Sequence, residues 1–467
     1  MRIPEKWLVL VAIGFGTFMT ALDGSIVNVI LPVVRSSFGS EVAEIEWVIT
    51  VYLLIVSGLL LSFGRLGDLR GHKAIFCMGM GAFVTASAFC GAAPTAAALV
   101  GFRGIQAIGG AMMFANSPAI LTKAFPGSQR GQALGTAATL TYLGLTVGPS
   151  LGGWLADQLG WRSAFYVNLP VGALGLALSF RFIQPDRPAE RTEKFDLMGA
   201  AAFLTGLVSL LLALNQGHAW GWISLPLLAL LAISAASLAT FLWVETHVPS
   251  PMLDLTLFRN RLFSASVASA ILNYICVYCV LFLLPFYLIQ GKGMSAGEAG
   301  LVLIIQPLVM ALVAPLAGTL SDRIGSRILA VIGMGVLSLG LLVLSRLGES
   351  STVEQIRTGL ALTGFGTGTF ISPNSSALMG SAPPFRQGTA AGVLATARNV
   401  GMVLGVGLAG AVFTTVLSSG SDNLASGGLY PAVGASFTAA FLVSLFGVVA
   451  SSARGPSQNA NNVGAAP

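Results

Sequence analysis

Charged residues are scarce in this chain. Lys, Arg, Asp and Glu make up 9% of its 467 residues, whereas 55% are apolar and the mean hydropathy is +0.82. Soluble domains carry about 25% charged residues, because such residues cover the surface that faces water. A soluble globular fold is therefore excluded for most of the chain, and lipid is expected to be its main solvent.

Residues that support enzyme chemistry are also few. The chain has three histidines and four cysteines, no P-loop Gly-Lys-Ser/Thr, and no zinc or Ser-His-Asp arrangement. We therefore expect no ATP-driven transport by this chain alone, no enzyme activity, no cofactor and no metal. Cys276 and Cys279 are one helical turn apart, but without histidine or further cysteine nearby we expect inert, lipid-buried thiols.

Long apolar runs, by contrast, follow one another along almost the whole chain. A helix rises 1.5 Å per residue, so each run is long enough to cross about 30 Å of hydrocarbon. The sequence predicts fourteen spans, at 7–34, 46–63, 74–92, 96–122, 131–156, 163–183, 197–215, 223–244, 263–289, 298–320, 328–345, 356–379, 389–417 and 434–452.

The distribution of Lys and Arg predicts the orientation of these spans. If the N-terminus is cytoplasmic, 17 of these residues lie on the cytoplasmic side, 5 lie on the other side, and Arg103 and Arg398 lie inside spans. Cytoplasmic loops of membrane proteins are enriched in Lys and Arg. The net charge of +6 is thus a topology signal, not a nucleic-acid surface, and both termini are predicted to be cytoplasmic.

Several stretches of the first half of the chain recur in the second half. Gly64–Lys73 and Gly318–Arg327 each have Gly first, Asp fifth, Gly eighth and a basic residue tenth, and they lie 254 residues apart between apolar runs. Ala107–Pro118 is echoed by Leu362–Pro373, and four glycines that begin with Gly135 recur 257 residues later. Spans 1–6 therefore match spans 9–14, which leaves spans 7 and 8 as an inserted pair. Doubled helical units of this kind are typical of transporters with a midplane site.

Asp23 is the only carboxylate well inside a predicted span. An acid in this position is costly, and protonation removes much of the cost, so Asp23 can gain or lose a proton as access to water alternates. Arg103 is predicted at a similar depth, in the outer half. It either pairs with Asp23 and competes with the proton, or bonds backbone carbonyls and anchors packing. A purely structural role for Asp23 is the alternative to proton coupling.

Several stretches resemble motifs of the major facilitator superfamily, and within it of the fourteen-span drug:proton antiporters. Leu22–Pro32 is similar to that family's first-span motif, and Leu99–Gly110, centred on Arg103, resembles its fourth-span arginine motif. Gly144–Gly153 is similar to the fifth-span motif of exporters, and Gly64–Lys73 to the loop motif between spans 2 and 3. The last departs from the family pattern by having Leu69 and His72 where basic residues are usual, with Arg70 between them.

The resemblance implies an all-α integral membrane protein of the major facilitator fold, with fourteen transmembrane helices in two six-helix bundles and an inserted helix pair. The corresponding regions are an N-terminal bundle (1–183), cytoplasmic linkers with helices 7 and 8 (184–262), a C-terminal bundle (263–452) and a short cytoplasmic tail (453–467).

Site residues are predicted in four groups. Asp23 and Arg103 form the proton-coupling group. A gating group on the two charged hairpins consists of Gly64, Asp68, Arg70, Gly71, Lys73, Asp322, Arg323 and Arg327, in which the basic residues can pair with the two aspartates. The alternative is a solvated cytoplasmic loop without a gating role. Polar residues predicted to line a substrate cavity are Asn28, Gln106, Asn116, Asn273, Gln306, Asn374 and Arg398. The alternative for such polar residues, Asn168 among them, is that they tie helices together, and the alternative for Arg398 is a structural role. The resemblance assigns the seal between the bundles to a smooth helix with Gly144, Gly148, Pro149, Gly152 and Gly153, and ordinary packing of small residues is the alternative.

The leading hypothesis is a secondary active transporter of a bacterial inner membrane that exports lipophilic, often cationic drugs in exchange for protons by rocker-switch alternating access. The alternative is proton-coupled export of a dedicated metabolite such as an antibiotic, amino acid, siderophore or lipid. Two arginines against one acid inside the membrane suit an anionic or zwitterionic substrate at least as well. The expected partners are small-molecule substrates, protons and membrane lipids, and the expected state is monomeric. A sensor or scaffold would need a sizeable soluble output domain, which the sequence lacks.

Overall fold

The computed structural model describes residues 4–185, 194–221, 224–419 and 428–454. Part of the polar linker that precedes span 7 and most of the predicted tail at 453–467 lie outside the described residues. The described residues contain helices α1 (Glu5–Phe38), α2 (Val42–Arg70), α3 (His72–Gly91), α4 (Ala96–Ala124), α5 (Arg130–Leu159), α6 (Ser163–Tyr166), α7 (Asn168–Phe182), α8 (Leu197–Trp220), α9 (Leu225–His247), α10 (Arg261–Phe286), α11 (Ala296–Leu303), α12 (Ile305–Ile324), α13 (Ser326–Ser345), α14 (Val353–Ser381), α15 (Gln387–Ser419) and α16 (Leu429–Ser452).

Most of the predicted spans coincide with helices that can cross a bilayer. Within the described residues, 12 helical segments are long and apolar enough. The two predicted spans that are not among them, 131–156 and 356–379, coincide with α5 and α14. These helices have 30 and 29 residues, which is sufficient length, but glycines and hydroxyl residues make them less apolar than the others. The predicted span at 298–320 corresponds to α11 and α12, which are separated by Ile304 alone. Helical hydrogen bonds from Ile304 to Gly300 and from Leu308 to Ile304 continue across that residue.

The described part of the chain forms two units. Unit 1 takes in residues 1–127, 140–256 and 382–396, and unit 2 takes in 128–139, 257–381 and 397–467. Each unit therefore includes the first turns of a helix whose remainder belongs to the other unit. Helix α5 begins in unit 2 and continues in unit 1, and α15 begins in unit 1 and continues in unit 2.

The two units repeat one packing pattern. In unit 1, α4 packs against α1, α2 and α3, and α7 packs against α1 and α3. In unit 2, α14 packs against α10, α12 and α13, and α16 packs against α10 and α13. Helices α8 and α9 pack against each other, and α8 also contacts α2. The sequence repeat between spans 1–6 and 9–14 is thus matched by a repeat of helix contacts.

The eighth residue of each hairpin motif turns the chain sharply between two helices. Gly71 ends α2 with a φ of 96°, and Gly325 ends α12 with a φ of 91°. A side chain with a Cβ is strained in this backbone region, so glycine is the residue that permits the turn.

Candidate functional site

Asp23 lies at the centre of a buried polar cluster in unit 1. Its Oδ2 accepts a hydrogen bond from Nη1 of Arg103 at 2.6 Å, which is also an ion pair. Its Oδ1 accepts from Nε2 of Gln106 at 2.9 Å and from Nδ2 of Asn168 at 2.7 Å. Gln106 also donates to Oγ of Ser87 at 2.7 Å. Helices α1, α3, α4 and α7 each contribute one or more of these side chains, so the cluster depends on the packing of the whole unit.

Arg103 has further contacts besides Asp23. Its Nη1 donates to Oε1 of Gln106 at 2.5 Å, and its Nε donates to the carbonyl oxygen of Val48 at 3.2 Å. Its guanidinium carbon lies 4.3 Å from the centre of the Tyr52 ring, a cation–π distance. The two roles that the sequence left open for Arg103 are therefore both present, because it pairs with the acid and also anchors a backbone carbonyl.

The cluster is closed to solvent. Asp23, Ser87, Gln106 and Asn168 are 0% exposed and Arg103 is 1% exposed. Leu22 and Ile26, on either side of Asp23 in α1, belong to an apolar cluster with Leu99, Trp161 and Phe165. Three donors to the carboxylate stabilise its charged form, and enclosure by apolar side chains strengthens those electrostatic contacts. The arrangement thus places an enclosed, ion-paired carboxylate among the helices of unit 1.

Three residues of this cluster are absent from the predicted site groups. Asn168 lies at the start of α7, Ser87 in α3 and Tyr52 in α2. Each is one of several polar residues in a mostly apolar helix, so composition alone does not single it out. The only signal that distinguishes Asn168 is its position at a helix start, which the sequence alone does not place beside Asp23.

Asp68 binds the first turn of α15, a helix more than 300 residues away in sequence. Its Oδ1 accepts from the backbone N–H of Gly388 at 2.7 Å, and its Oδ2 accepts from the N–H and hydroxyl of Thr389 at 2.7 and 2.8 Å. Nε2 of His72 lies 3.5 Å from the same carboxylate, and Nδ1 of His72 is 2.7 Å from Oδ1 of Asn116. The carboxylate thus satisfies N–H groups that have no partner within their own helix.

Asp322 likewise binds backbone N–H groups in the first turn of α5, in unit 2. It accepts from the backbone N–H of Gly131 at 2.9 Å and of Gln132 at 3.0 Å. Burial lowers the pKa of Arg130 at the start of this helix, and the charge of Asp322 opposes that shift. The fifth residue of each hairpin motif is therefore a helix cap supplied by another helix.

The first glycine of each motif lies where two backbones meet. A Cβ at Gly64 would overlap the carbonyl group of Gly388, and a Cβ at Gly318 would overlap the carbonyl group of Gly131. The glycine at each of the opposing positions is equally constrained. The motif glycines permit the close approach that brings each aspartate to its helix.

The basic residues of the motifs are placed differently from the prediction. The expected pairing of the two aspartates with motif arginines and lysine is corrected, because backbone N–H groups bind both carboxylates. Arg70, Arg323 and Arg327 are exposed, and Lys73 donates to the carbonyl oxygen of Phe180 at 3.0 Å.

The glycine-rich stretch of α5 packs against α1. Positions 144, 148 and 152 face Phe18, Ser25 and Ile26, and Oγ of Ser25 donates to the carbonyl oxygen of Gly144 at 3.2 Å. Gly153 faces open space and Pro149 is exposed. In unit 2, Gly401 and Gly405 of α15 face α10 in the same way. The structure places Gly144, Gly148 and Gly152 at a helix contact inside unit 1, so their predicted sealing role remains a prediction.

The residues predicted to line a cavity lie at several separate places. Asn28 is exposed on α1, Gln106 belongs to the Asp23 cluster, and Asn116 lies with His72 beside Asp68. Asn273 donates to Sδ of Met334 at 3.4 Å, and Gln306 is 5% exposed. Gln106 and Asn116 thus tie helices together within unit 1, and a cavity-lining role for this group of residues remains a prediction.

Asn374 and Ser375 in α14 each hold an arginine of unit 2. Asn374 accepts from Nη2 of Arg454 and donates to the carbonyl oxygen of Ser266 at 3.1 Å. Ser375 accepts from Nη2 of Arg398 at 2.7 Å. Burial lowers the pKa of Arg454 to about 9, so it is charged at neutral pH. Both roles predicted for Arg398 therefore remain predictions, and Arg454 is buried although it lies just beyond the last helix.

The sequence matches one protein-family model twice, once in each half of the chain. The model described as Major Facilitator Superfamily matches residues 13–268 and again 266–464, so the two matches together cover nearly the whole chain. The chain belongs to the Major Facilitator Superfamily.

Curated relatives of this superfamily member are transporters and resistance proteins. It is 32% identical over 417 residues to Riboflavin transporter RibZ of Clostridioides difficile, which covers 89% of this chain and 90% of that protein. It is 35% identical to Multidrug resistance protein Stp of Mycobacterium tuberculosis, over 88% of this chain and 76% of that protein. Tetracenomycin C resistance and export protein of Streptomyces glaucescens is 30% identical, over 88% and 76%.

Solved structures show the same fold. The human organic anion transporter MFSD10 superposes with a TM-score of 0.67 at 18% identity, over 95% of this chain and 100% of that one. The proton:xylose symporter XylE superposes with a TM-score of 0.64 at 15% identity, over 94% of each chain. This superfamily member is therefore a multi-pass membrane transporter of small molecules and not an enzyme.

Proposed function

We propose that this protein exports lipophilic small molecules in exchange for protons, and that Asp23 carries the proton. The observation that supports this is the carboxylate enclosed in the membrane-spanning part of unit 1, with Arg103, Gln106 and Asn168 as its donors. Ion pairing with Arg103 and protonation compete for the same carboxylate oxygen. A conformational change that separates the pair therefore favours proton uptake, and re-formation of the pair expels the proton.

Asp68 and Asp322 are proposed to control the cytoplasmic side by alternating access. Each carboxylate holds the N2 and N3 amides at the start of a helix that passes from one unit into the other. Release of both carboxylates frees the first turns of α15 and α5. These two contacts are thus suited to a gate that opens and closes once per cycle.

The proposal includes a fourteen-span topology with both termini in the cytoplasm of a bacterial cell, in a lipid bilayer and as a monomer. Helices α5 and α14 supply the two spans beyond the 12 apolar segments. Within the repeat, α14 is the counterpart of α4, and α5 is the counterpart of α15. Helices α8 and α9 are the proposed insertion, since they have no counterpart in the repeat and pack on α2 through α8.

Everted membrane vesicles test the proposal, because their cytoplasmic face is outside and export becomes accumulation. An inside-acid gradient is expected to drive accumulation of a lipophilic dye by the wild type. Asp23→Asn is expected to abolish gradient-driven accumulation while exchange of labelled for unlabelled dye continues without a gradient. Asp157→Asn is the matched control, because Asp157 is exposed at the end of α5. Unchanged gradient-driven accumulation by Asp23→Asn contradicts the proposal.

Proton-coupled export of a dedicated metabolite is the second candidate. It is favoured by the 32% identity to a riboflavin transporter over 90% of that protein. Competition against dye transport by a panel of unrelated drugs distinguishes the two, because a multidrug site is inhibited by several chemical classes and a dedicated site by few.

A further inference from the structure

The two units differ in how their arginines are compensated. In unit 1, Arg103 is paired with Asp23 at 2.6 Å. In unit 2, neither Arg398 nor Arg454 has an ion pair with any acidic residue in the described ranges. Arg398 lies within the apolar segment Pro384–Leu417, where an uncompensated charge is costly.

Of these two arginines, Arg398 is the one that a ligand can reach. Arg454 is 1% exposed and is held by Asn374. Arg398 is half-buried, and its guanidinium carbon lies 5.7 Å from the centre of the Tyr274 ring. Its hydrogen bond among the described residues is the one to the Ser375 hydroxyl, which leaves most of its N–H donors for other partners.

A purely structural arginine inside a membrane protein satisfies backbone carbonyls, as Arg103 does with Val48. Arg398 has no such contact in the described part of the chain. Its planar fork of donors matches the two oxygens of a carboxylate or sulfonate, and the neighbouring tyrosine ring provides an apolar face for an aromatic group.

We infer that Arg398, Ser375 and Tyr274 form a subsite for the acidic group of an aromatic substrate. This inference rests on the proposed transport function, and it narrows the substrate class to lipophilic organic anions or zwitterions. Arg398 supplies the positive charge, Ser375 fixes one side of the guanidinium, and Tyr274 lies beside the rest of the substrate.

Binding of two matched probes to the purified protein in lipid nanodiscs, corrected with empty nanodiscs, tests this subsite. Anilinonaphthalene sulfonate carries an anionic group, and phenylnaphthylamine has the same aromatic frame without it. The wild type is expected to bind the sulfonate probe at least about tenfold more tightly, the effect of one charge-assisted contact of roughly 1.4 kcal/mol or more.

Arg398→Gln is expected to weaken binding of the sulfonate probe about tenfold and to change binding of the neutral probe less than threefold. Arg398→Lys keeps the charge but loses the planar fork, so an intermediate loss is expected. Arg357→Gln is the control, because Arg357 forms an exposed ion pair with Glu354. No preference for the sulfonate probe in the wild type, or equal loss of both probes in Arg398→Gln and Arg398→Lys, would overturn the inference.

This measurement needs no proton gradient. It therefore succeeds or fails independently of the Asp23→Asn vesicle experiment, and a protein that binds the anion without proton coupling is distinguished from one that couples protons but ignores the anion.

Discussion

Asp68 and Asp322 occupy equivalent positions in the two units, although 254 residues separate them. Each ends a hairpin helix and caps the first turn of a distant helix, with Asp68 on α15 and Asp322 on α5. The carboxylates differ in the number of bonds they accept. Asp68 also accepts from the Thr389 hydroxyl and lies near His72, whereas the hydrogen bonds of Asp322 within the described residues are those from two backbone amides.

This difference predicts unequal effects of removing the two carboxylates. Asp68→Ala is expected to reduce the transport rate about tenfold or more, and Asp322→Ala several-fold, because hydrogen bonds to a charged group contribute about 1.5–3 kcal/mol when buried and less when exposed. Thr389→Val removes one of the three bonds and should cause a smaller loss than Asp68→Ala. Initial transport rates at equal protein amounts provide the measurement. Equal losses for both aspartates would contradict the assigned geometry.

The close backbone approaches predict which glycines cannot be replaced. Gly64→Ala and Gly318→Ala are expected to lower the thermal unfolding temperature and transport, because the added Cβ would overlap a backbone carbonyl. Gly101→Ala in α4 and Gly335→Ala in α13 are matched controls, since nothing lies within 4 Å of a Cβ at either position. These controls should be neutral or more stable by roughly 0.5–1 kcal/mol. If Gly101→Ala and Gly335→Ala reduce transport as much as Gly64→Ala and Gly318→Ala, overlap with a backbone carbonyl is not the reason that these glycines are needed.

The Asp23–Arg103 pair predicts non-additive effects on stability. Arg103→Gln leaves a buried carboxylate without its counter-charge and should destabilise the protein by about 3–5 kcal/mol. Asp23→Asn combined with Arg103→Gln removes both charges, so the double variant is expected to regain much of that loss. Unfolding by denaturant in detergent micelles gives the free energy of unfolding of the two single variants and of the double variant, each relative to the wild type. A double variant whose destabilisation equals the sum of the two single variants would show that the ion pair carries no coupling energy.

The inferred acidic substrate predicts a transport current. Export of one monovalent anion in exchange for one proton moves two positive-charge equivalents inward, worth about 4.6 kcal/mol per 100 mV, whereas exchange of a monovalent cation for one proton moves none. Transport of anilinonaphthalene sulfonate in proteoliposomes should therefore accelerate when valinomycin and a potassium gradient impose a potential without a pH difference. If the imposed potential does not change the transport rate, the exchange of one anion for one proton is ruled out.

Much of the fold follows from the sequence because lipid imposes simple length and polarity rules. The apolar runs gave helices with ends within a few residues of the expected positions, and the Gly64 and Gly318 motifs gave equivalent hairpins. The matched depths of Asp23 and Arg103 in α1 and α4 made their pairing one of the two roles predicted for Arg103. Depth along a helix is countable from the sequence, since each residue adds 1.5 Å.

The partners of Asp68 and Asp322 could not be predicted in the same way. Backbone amides of Gly388 and Gly131 carry no side-chain signal, and their proximity depends on packing over more than 190 residues of sequence separation. Asn168 was expected only as one of several polar residues that line a cavity or tie helices together, and Ser87 was missed. The rotation of a helix about its axis decides which polar residue faces Asp23. That rotation is set by tertiary packing and not by apolar periodicity when a helix is apolar on every side.

A measurement of whether Asp23 changes its protonation during transport tests the proposed proton-coupling role most directly. Infrared difference spectroscopy on the purified protein in lipid, triggered by substrate binding, reports the C=O stretch of a protonated carboxyl. The account predicts a carboxyl band that appears or disappears with substrate in the wild type, is absent in Asp23→Asn and persists in Asp157→Asn. A spectrum in which no band assigned to Asp23 changes between the substrate-free and substrate-bound protein would contradict it.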